Sequence, residues 1–226
     1  MRSPCKKKGC KTMKIGIFGG TFNPIHKGHI QAVYSFFECV KPDKLFVIPT
    51  KIPPHKAIKG DDDPEIRLEM TKRAFAENRD CAGKIEVSDM EIRSEGKSYT
   101  YYTLQKIKAM GFDEIYLYCG TDMLLSFDTW FRFEDILSDC TLAYASRLEN
   151  ESPQASEKIA MLRERYGAKI LEIPLEPIEI SSSEIRDMIR EGNDASAYLS
   201  DAVLDFINDS GTKKPPCRNQ KSASFI

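Results

Sequence analysis

Short apolar runs alternate along the chain with longer segments in which apolar residues recur every three or four positions. The short runs are typical of buried strands, and the periodic segments are typical of helices that pack one face on a core. The alternation predicts an α/β fold, a Rossmann-like, doubly wound and mostly parallel sheet with helices on both faces. We predict strands at 14–18, 44–49, 84–88, 114–120, 141–145 and 169–174, and helices from about 28, at 63–77, 100–111, around 130–137, and at 155–166, 183–191 and 201–208.

Length and composition limit the possible classes of protein. The 226 residues suffice for one domain, expected at 13–211, with 1–12 a disordered extension or expression remnant and 212–226 a disordered tail. A net charge of −1 and the lack of a long apolar run argue against nucleic acid or a membrane as partner. Seven cysteines without a C-x-x-C pair favour reduced thiols and a cytoplasmic location.

Three loops that follow predicted strands carry most of the candidate chemistry. The first is GGTFNPIHKGH, the second is PTKIPPHK with His55 and Lys56, and the third is GTDMLLSFDTW with Asp122. In a parallel sheet the loops at the carboxyl ends of the strands share one edge, and ligands bind there. We therefore expect the three loops, with all three histidines of the chain, to lie together.

The first loop combines a glycine turn with two histidines. Gly19 and Gly20 allow the backbone to turn tightly and to approach a ligand closely. His26 and His29 follow at the start of a predicted helix, where backbone amides favour an anion. The histidines could instead hold a metal, although no third ligand with suitable spacing is present, or could cap and pack the helix. Two histidines beside a glycine turn favour contact with a phosphate.

The segment ISSSEIRDMIREG predicts a second anion site. Ser181 and Glu184 fit a capping box, which leaves Ser182 and Ser183 in the first turn of a helix. Arg186 lies one turn further on and can reach the same anion. Capping alone is the alternative interpretation, and Arg186 favours phosphate binding.

Three further residues have both a functional and a structural interpretation. Lys56 could contact a phosphate, and a solvated basic loop explains it equally well. Asp122 could bind a ribose hydroxyl or Mg²⁺, or could cap the next helix. Trp130, the single tryptophan, could stack on a base or pyridine ring, or could lie in the core; the nearby Asp122 favours stacking.

The stretches GIFGGTFNPIHKGH, EGKSYTYYTL, FDTWF and SSSEIR occur in an order that resembles the nucleotidyltransferase superfamily with the H-x-G-H signature. From residue 13 to about 210 the chain is most similar to bacterial nicotinate-nucleotide adenylyltransferases. The resemblance implies transfer of AMP from ATP to nicotinate mononucleotide, which gives deamido-NAD and pyrophosphate in NAD biosynthesis. It also implies direct in-line attack without a covalent enzyme intermediate, and Mg²⁺ carried mainly by the ATP phosphates.

The same resemblance implies roles for individual residues. Catalytic contacts with the phosphates would come from His26, His29, Lys56 and Arg186, with His29 at the α-phosphate. ATP would be bound by Gly19, Gly20, Thr21, Phe22, Gly28, Ser182 and Ser183. The nicotinate nucleotide would be bound by Asn23, Ser98, Tyr99, Thr100, Asp122, Trp130, Phe131 and Arg147, with main-chain amides on the carboxylate.

Some points stay open at this level. Asn23 stands where many relatives have aspartate, so it supplies no negative charge there. Phosphopantetheine adenylyltransferases and cytidylyltransferases share H-x-G-H, but KSYTYYTL and Trp130 argue against both. A regulator that binds nucleotide without catalysis is a further alternative, which the intact histidines, Lys56 and Arg186 disfavour. The sequence decides neither the preference for acid over amide nucleotide nor between monomer and homo-oligomer.

Overall fold

The computed structural model describes residues 12–53, 62–76, 81, 83–147, 152–176 and 178–209. The strands are β1 Lys14–Gly20, β2 Lys44–Pro49, β3 Ile85–Val87, β4 Glu114–Cys119, β5 Thr141–Arg147 and β6 Lys169–Leu175. The helices are α1 Lys27–Val40, α2 Pro64–Phe75, α3 Thr100–Ala109, α4 Thr121–Leu125, α5 Phe133–Asp139, α6 Pro153–Tyr166, α7 Ser182–Glu191 and α8 Asp201–Asp209. The predicted tail and all but Thr12 of the predicted N-terminal extension lie outside the described residues.

Every strand pair in these ranges is parallel, and the strand order is β3-β2-β1-β4-β5-β6. Ile15 of β1 faces Lys44 on one side and Ile115 on the other. The chain therefore adds strands outward in opposite directions from β1. This reversal creates a switch point at the carboxyl ends of β1 and β4, where ligands of such sheets bind. The predicted doubly wound sheet is confirmed.

Two apolar layers cover the two faces of the sheet. One layer joins β-strand residues such as Ile17 to side chains of α3, α4, α5 and α6, among them Leu104. The other joins residues such as Val47 to side chains of α1, α2, α7 and α8, among them Phe36. Because the central strands are buried on both faces, they appear in the sequence as continuous apolar runs.

Most element ends follow local chemistry that the sequence displays. The side chain of Asp63 accepts the amide of Glu65 at 2.8 Å and so caps α2, and Gly167 ends α6 with a φ of 63°. One expectation was wrong, because residues 121–125 of the supposed third loop form helix α4. Another was too short, because β5 continues two residues beyond 145.

None of the helices in the described ranges is long and apolar enough to cross a membrane. Among the described cysteines, Cys81, Cys119 and Cys140 are buried, and Cys39 is exposed. Burial raises the pKa of Cys119 and Cys140, so both thiols stay protonated.

Candidate active site

The carboxyl ends of β1, β2 and β4 surround a cleft of about 210 Å³. The amide of Thr50, just after β2, donates to the carbonyl of Gly20 at 2.9 Å. Trp130, which follows β4, lines the same cleft as Gly19. The three predicted loops therefore meet at this cleft through Gly20, Thr50 and Trp130, whereas His26 and His29 are not among the residues that line it. His55 and Lys56 lie outside the described residues.

The two positions of the turn, 19 and 20, are occupied by glycine for different structural reasons. A Cβ on Gly20 would lie 2.4 Å from the ring of Phe22, so no larger residue fits there. Phe22 itself has a φ of 52° and is buried, and its ring fills the space under the turn. A Cβ on Gly19 would meet nothing, and this glycine lines the cleft. Gly20 thus serves packing, whereas Gly19 leaves the backbone accessible to a ligand.

His26 and His29 meet at the start of α1. His26 is the N-cap residue, and its amide lies 3.4 Å from Nδ1 of His29, to which it donates. The ring centroids are 3.7 Å apart, and Phe22 meets the His29 ring edge-on at 5.2 Å. Burial lowers the pKa of His26 to about 4, so its ring is neutral at pH 7.

Gly28 is the glycine of the H-x-G-H signature, and it lies directly against the ring of His26. A Cβ on Gly28 would lie 3.1 Å from Nδ1 of His26, closer than nine in ten real contacts of a Cβ. A side chain at this position would therefore push the His26 ring away from the first turn of α1 by a few tenths of an ångström. Nδ1 of His26 is buried and finds no hydrogen-bond partner within the described part of the chain.

The N-terminus of α7 is docked on the loop between β1 and α1. Ser182 Oγ donates to the Pro24 carbonyl at 2.9 Å. One terminal nitrogen of Arg186 donates to the Asn23 carbonyl at 2.6 Å, and the other donates to Ser183 Oγ at 3.0 Å. The predicted capping box is present, since Ser181 Oγ accepts from the Glu184 amide at 3.2 Å. The fold thus brings the serine-rich helix and the histidine loop together.

Aromatic side chains line one half of the cleft, called here the aromatic half, which is formed by Tyr99, Trp130 and Phe131. Trp130 stacks on Phe127 with centroids 4.9 Å apart and an interplanar angle of 24°. Tyr99 is the N-cap residue of α3, and the centroid of its ring lies 4.9 Å from that of Phe131. Trp130 is half-buried: it packs on the core and also lines the cleft.

The remaining predicted site residues differ in their surroundings. Ser98 lines the cleft, but its hydroxyl already accepts the amides of Lys51 at 3.1 Å and Ile52 at 3.4 Å. Asp122 is exposed in the first turn of α4, whose N-cap is Gly120, so Asp122 is not the cap of that helix. Arg147 is the last residue of β5.

Two buried charged residues at this edge were missed from the sequence. Arg67 of α2 is 1% exposed, and Glu91, in the turn after β3, is 9% exposed and lines the cleft. Burial raises the pKa of Glu91, although hydrogen bonds from hydroxyls and the charge of Lys106 oppose the rise. In PEIRLEMTKRAF, Arg67 is one of several charged residues of a helix, and no local signal marks it as buried.

No cluster of three or more histidine, cysteine, aspartate or glutamate side chains within the described ranges could hold a metal ion.

Comparison with known proteins identifies the family. The cytidylyltransferase-like family model matches residues 17–188. A probable nicotinate-nucleotide adenylyltransferase of Clostridium acetobutylicum is 36% identical over 197 residues, which cover 87% of this chain and 94% of that protein. The chain belongs to the nicotinate-nucleotide adenylyltransferase family. A second relative, a probable nicotinate-nucleotide adenylyltransferase of Caldicellulosiruptor saccharolyticus, is 35% identical over 205 residues, which cover 89% of this chain and 100% of that protein.

Solved structures of the family share the fold. The nicotinic acid mononucleotide adenylyltransferase of Plasmodium falciparum, in complex with NaAD, matches with a TM-score of 0.71 and 20% identity, covering 89% of this chain and 97% of that one. The same enzyme in complex with APC matches with a TM-score of 0.67 and 19% identity over the same shares. The family fold therefore accounts for nearly the whole described structure.

Proposed function

We propose that the protein transfers AMP from ATP to nicotinate mononucleotide and so forms deamido-NAD and pyrophosphate. The observation that carries the proposal is the pair of imidazoles of His26 and His29 at the N-terminus of α1, in the same loop as the glycine turn that lines the cleft with Trp130. Helix amides and imidazole donors suit phosphates, and an aromatic cleft suits a pyridine ring. Membership of the family supports the same activity.

The proposed reaction needs no covalent bond to the enzyme. A phosphate oxygen of nicotinate mononucleotide attacks the α-phosphorus of ATP in line, and the bond from that phosphorus to the bridging oxygen of pyrophosphate breaks. The attacking phosphate is already ionised, so no general base is required. The protein then contributes by positioning the two nucleotides and by offsetting charge in the transition state.

His26 acts in this scheme as a neutral hydrogen-bond donor. Its Nδ1 lies over the first turn of α1, beside Gly28, where the helix dipole makes the potential positive. A lone pair at Nδ1 is favoured in that field, which leaves the proton on Nε2. Nε2 can then donate to an ATP phosphate, while His29 steadies the α-phosphate under attack.

The N-terminus of α7 would receive the outgoing pyrophosphate. Arg186 has five N–H donors, and the structure gives it two hydrogen bonds, to Asn23 and Ser183. Donors that remain, with Ser182 and Ser183 in the first helical turn, can face the phosphates. Lys56 would add positive charge from the second loop.

The nicotinate nucleotide would occupy the aromatic half of the cleft. Trp130 would stack on the pyridine ring, and main-chain amides near Thr100 and Phe131 would meet its carboxylate. The surrounding contacts would come from Asn23, Ser98, Tyr99, Asp122 and Arg147. ATP would lie along the backbone of Gly19, Gly20, Thr21 and Phe22.

Mg²⁺ is the proposed cofactor. This ion prefers oxygen ligands and keeps several waters, so it is usually held by one or two carboxylates and substrate phosphates. Asp122, an exposed carboxylate beyond β4, fits the role of a single protein ligand. When bound, the ion would neutralise charge on the ATP phosphates.

We also propose that residues 13–211 form one domain and that the enzyme is cytoplasmic.

The test is pyrophosphate release from ATP and Mg²⁺ with nicotinate mononucleotide, nicotinamide mononucleotide or phosphopantetheine as acceptor. We expect strong release with nicotinate mononucleotide and a fall in kcat of about 10²-fold in His29→Ala, the cost of one transition-state donor. Arg186→Ala should raise KM for ATP more than KM for the acceptor. Release with phosphopantetheine alone would contradict the assigned acceptor, and nucleotide binding without release would indicate a regulator.

A further inference from the structure

The segment Thr50–Ile52, called here the β2 loop, is held by two buried polar side chains, those of Arg67 and Glu91. Arg67 donates to the carbonyl of Thr50 at 2.7 Å and to that of Lys51 at 3.1 Å. The amides of Lys51 and Ile52 instead donate to the hydroxyl of Ser98, which is hydrogen-bonded to the carboxyl group of Glu91. The carbonyl groups of the β2 loop thus face the guanidinium group of Arg67. Its amides face the hydroxyl of Ser98, which contacts the carboxyl group of Glu91.

Arg67 also joins the β2 loop to the glycine turn. The nitrogen that contacts Thr50 donates as well to the carbonyl of Thr21 at 2.8 Å, and Nε donates to Asp62 at 2.5 Å. A guanidinium this deeply buried needs such complete pairing, because an unpaired buried charge is very costly. Since Thr21 and Thr50 both line the cleft, one planar group fixes the distance between its two walls.

Glu91 joins the β2 loop to the start of α3. Thr103 Oγ1 donates to Glu91 at 2.7 Å, and the hydroxyls of Ser98 and Thr50 are also hydrogen-bonded to it. A carboxyl group with several acceptor sites suits three hydroxyl donors from three parts of the chain. Ser98 immediately precedes Tyr99 and Thr100, so Glu91 helps to set the first turn of α3 against the cleft.

We propose that Arg67 and Glu91 are positioning residues. Together they hold the glycine turn, the β2 loop and the start of α3 around the aromatic half of the cleft. The inference rests on the proposed function, which assigns that half to nicotinate mononucleotide. Neither residue reacts with substrate. Glu91 contacts the β2 loop and α3 but not the glycine turn, so its loss falls on the acceptor nucleotide rather than on ATP. Arg67 also holds Thr21, which the proposed function places along ATP, so its loss falls on both nucleotides.

Arg67→Lys and Glu91→Gln test the proposal with little change of volume. Lysine keeps the charge but cannot reproduce the planar set of donors, and glutamine places a donor where three hydroxyls donate. We expect KM for nicotinate mononucleotide to rise about tenfold or more in each variant, with kcat within about threefold. KM for ATP should stay within about threefold in Glu91→Gln and should rise as well in Arg67→Lys, which loses a contact to Thr21. Arg73→Lys, in an exposed pair with Glu69 on the same helix, is the control and should leave both KM values unchanged.

Amide hydrogen exchange over residues 44–53 gives a readout independent of activity. Exchange at Lys51 and Ile52 should become faster in both variants and stay unchanged in the control. Equal rises in the two KM values of Glu91→Gln, or unchanged exchange in the β2 loop of either variant, would overturn the positioning role. If the wild type releases no pyrophosphate with nicotinate mononucleotide, the proposed function fails, while the exchange data still decide whether these residues hold the loop. If Arg67→Lys does not fold, Glu91→Gln carries the test.

Discussion

Burial sets the charge state of His26. Its pKa is lowered from 6.5 to about 4 because the charged ring would lose hydration, whereas in the unfolded chain the ring binds a proton below about pH 6.5. Between those values only the unfolded state is protonated at this site. The contribution of His26 to stability is therefore complete above pH 6.5 and is lost as the pH falls towards 4.

His26→Asn removes this titration and keeps a good N-cap residue for α1. We expect the free energy of unfolding of the wild type to fall by about 2 kcal/mol more than that of the variant between pH 7 and pH 5. Urea denaturation at the two pH values measures the difference. Parallel losses in the two proteins would mean that His26 takes up a proton equally well in the folded state.

Single residues also show where sequence reasoning succeeds and where it stops. The glycine turn, the two histidines and Arg186 were predictable because each belongs to a short motif whose chemistry is local. Arg67 and Glu91 were not, since their burial depends on carbonyls and hydroxyls from distant parts of the chain. A buried charge in a polar helix or turn has the same local pattern as a solvated one.

At the scale of elements, α7 is both capped and docked by neighbouring serines. Ser181 binds the Glu184 amide within the helix, and Ser182 binds the Pro24 carbonyl in the histidine loop. The sequence predicted the capping box, and the docking contact follows only from the fold. Helix α4 was missed because five residues are too few to display a helical period.

The two serines separate stability of the helix from its placement. We expect Ser181→Ala and Ser182→Ala each to lower the free energy of unfolding by about 1 kcal/mol, for loss of one hydrogen bond. Only Ser182→Ala should also raise KM for ATP several-fold, because α7 loses a contact to the loop that carries His26. Urea denaturation and steady-state kinetics give the comparison, and a matching rise of KM in Ser181→Ala would count against the docking role.

At the scale of the whole molecule, the cleft joins loops from both sides of the switch point. A ligand that contacts Thr50 and Trp130 together bridges β2 and β4, which lie on opposite sides of β1. Binding to the folded state alone stabilises the entire domain.

Nicotinate mononucleotide at 100 times its dissociation constant should stabilise the fold by about 2.7 kcal/mol. For a domain of this size, that corresponds to a rise in Tm of about 5 to 10 °C. Differential scanning fluorimetry measures the shift, with ribose 5-phosphate as a control that lacks the pyridine ring. An equal shift with the control would show that the aromatic half of the cleft contributes nothing to binding.

The strand order also has a consequence for how the chain is made. Ile15 in β1 pairs with Ile115 in β4, so the centre of the sheet joins segments far apart in sequence. At about 5 to 20 residues per second, a ribosome needs on the order of 5 to 20 seconds to synthesise the intervening chain. During that time one edge of β1 lacks its native neighbour. Parallel sheets built from such distant pairs fold slowly, and for this chain synthesis itself sets the earliest moment at which the central pairing can form.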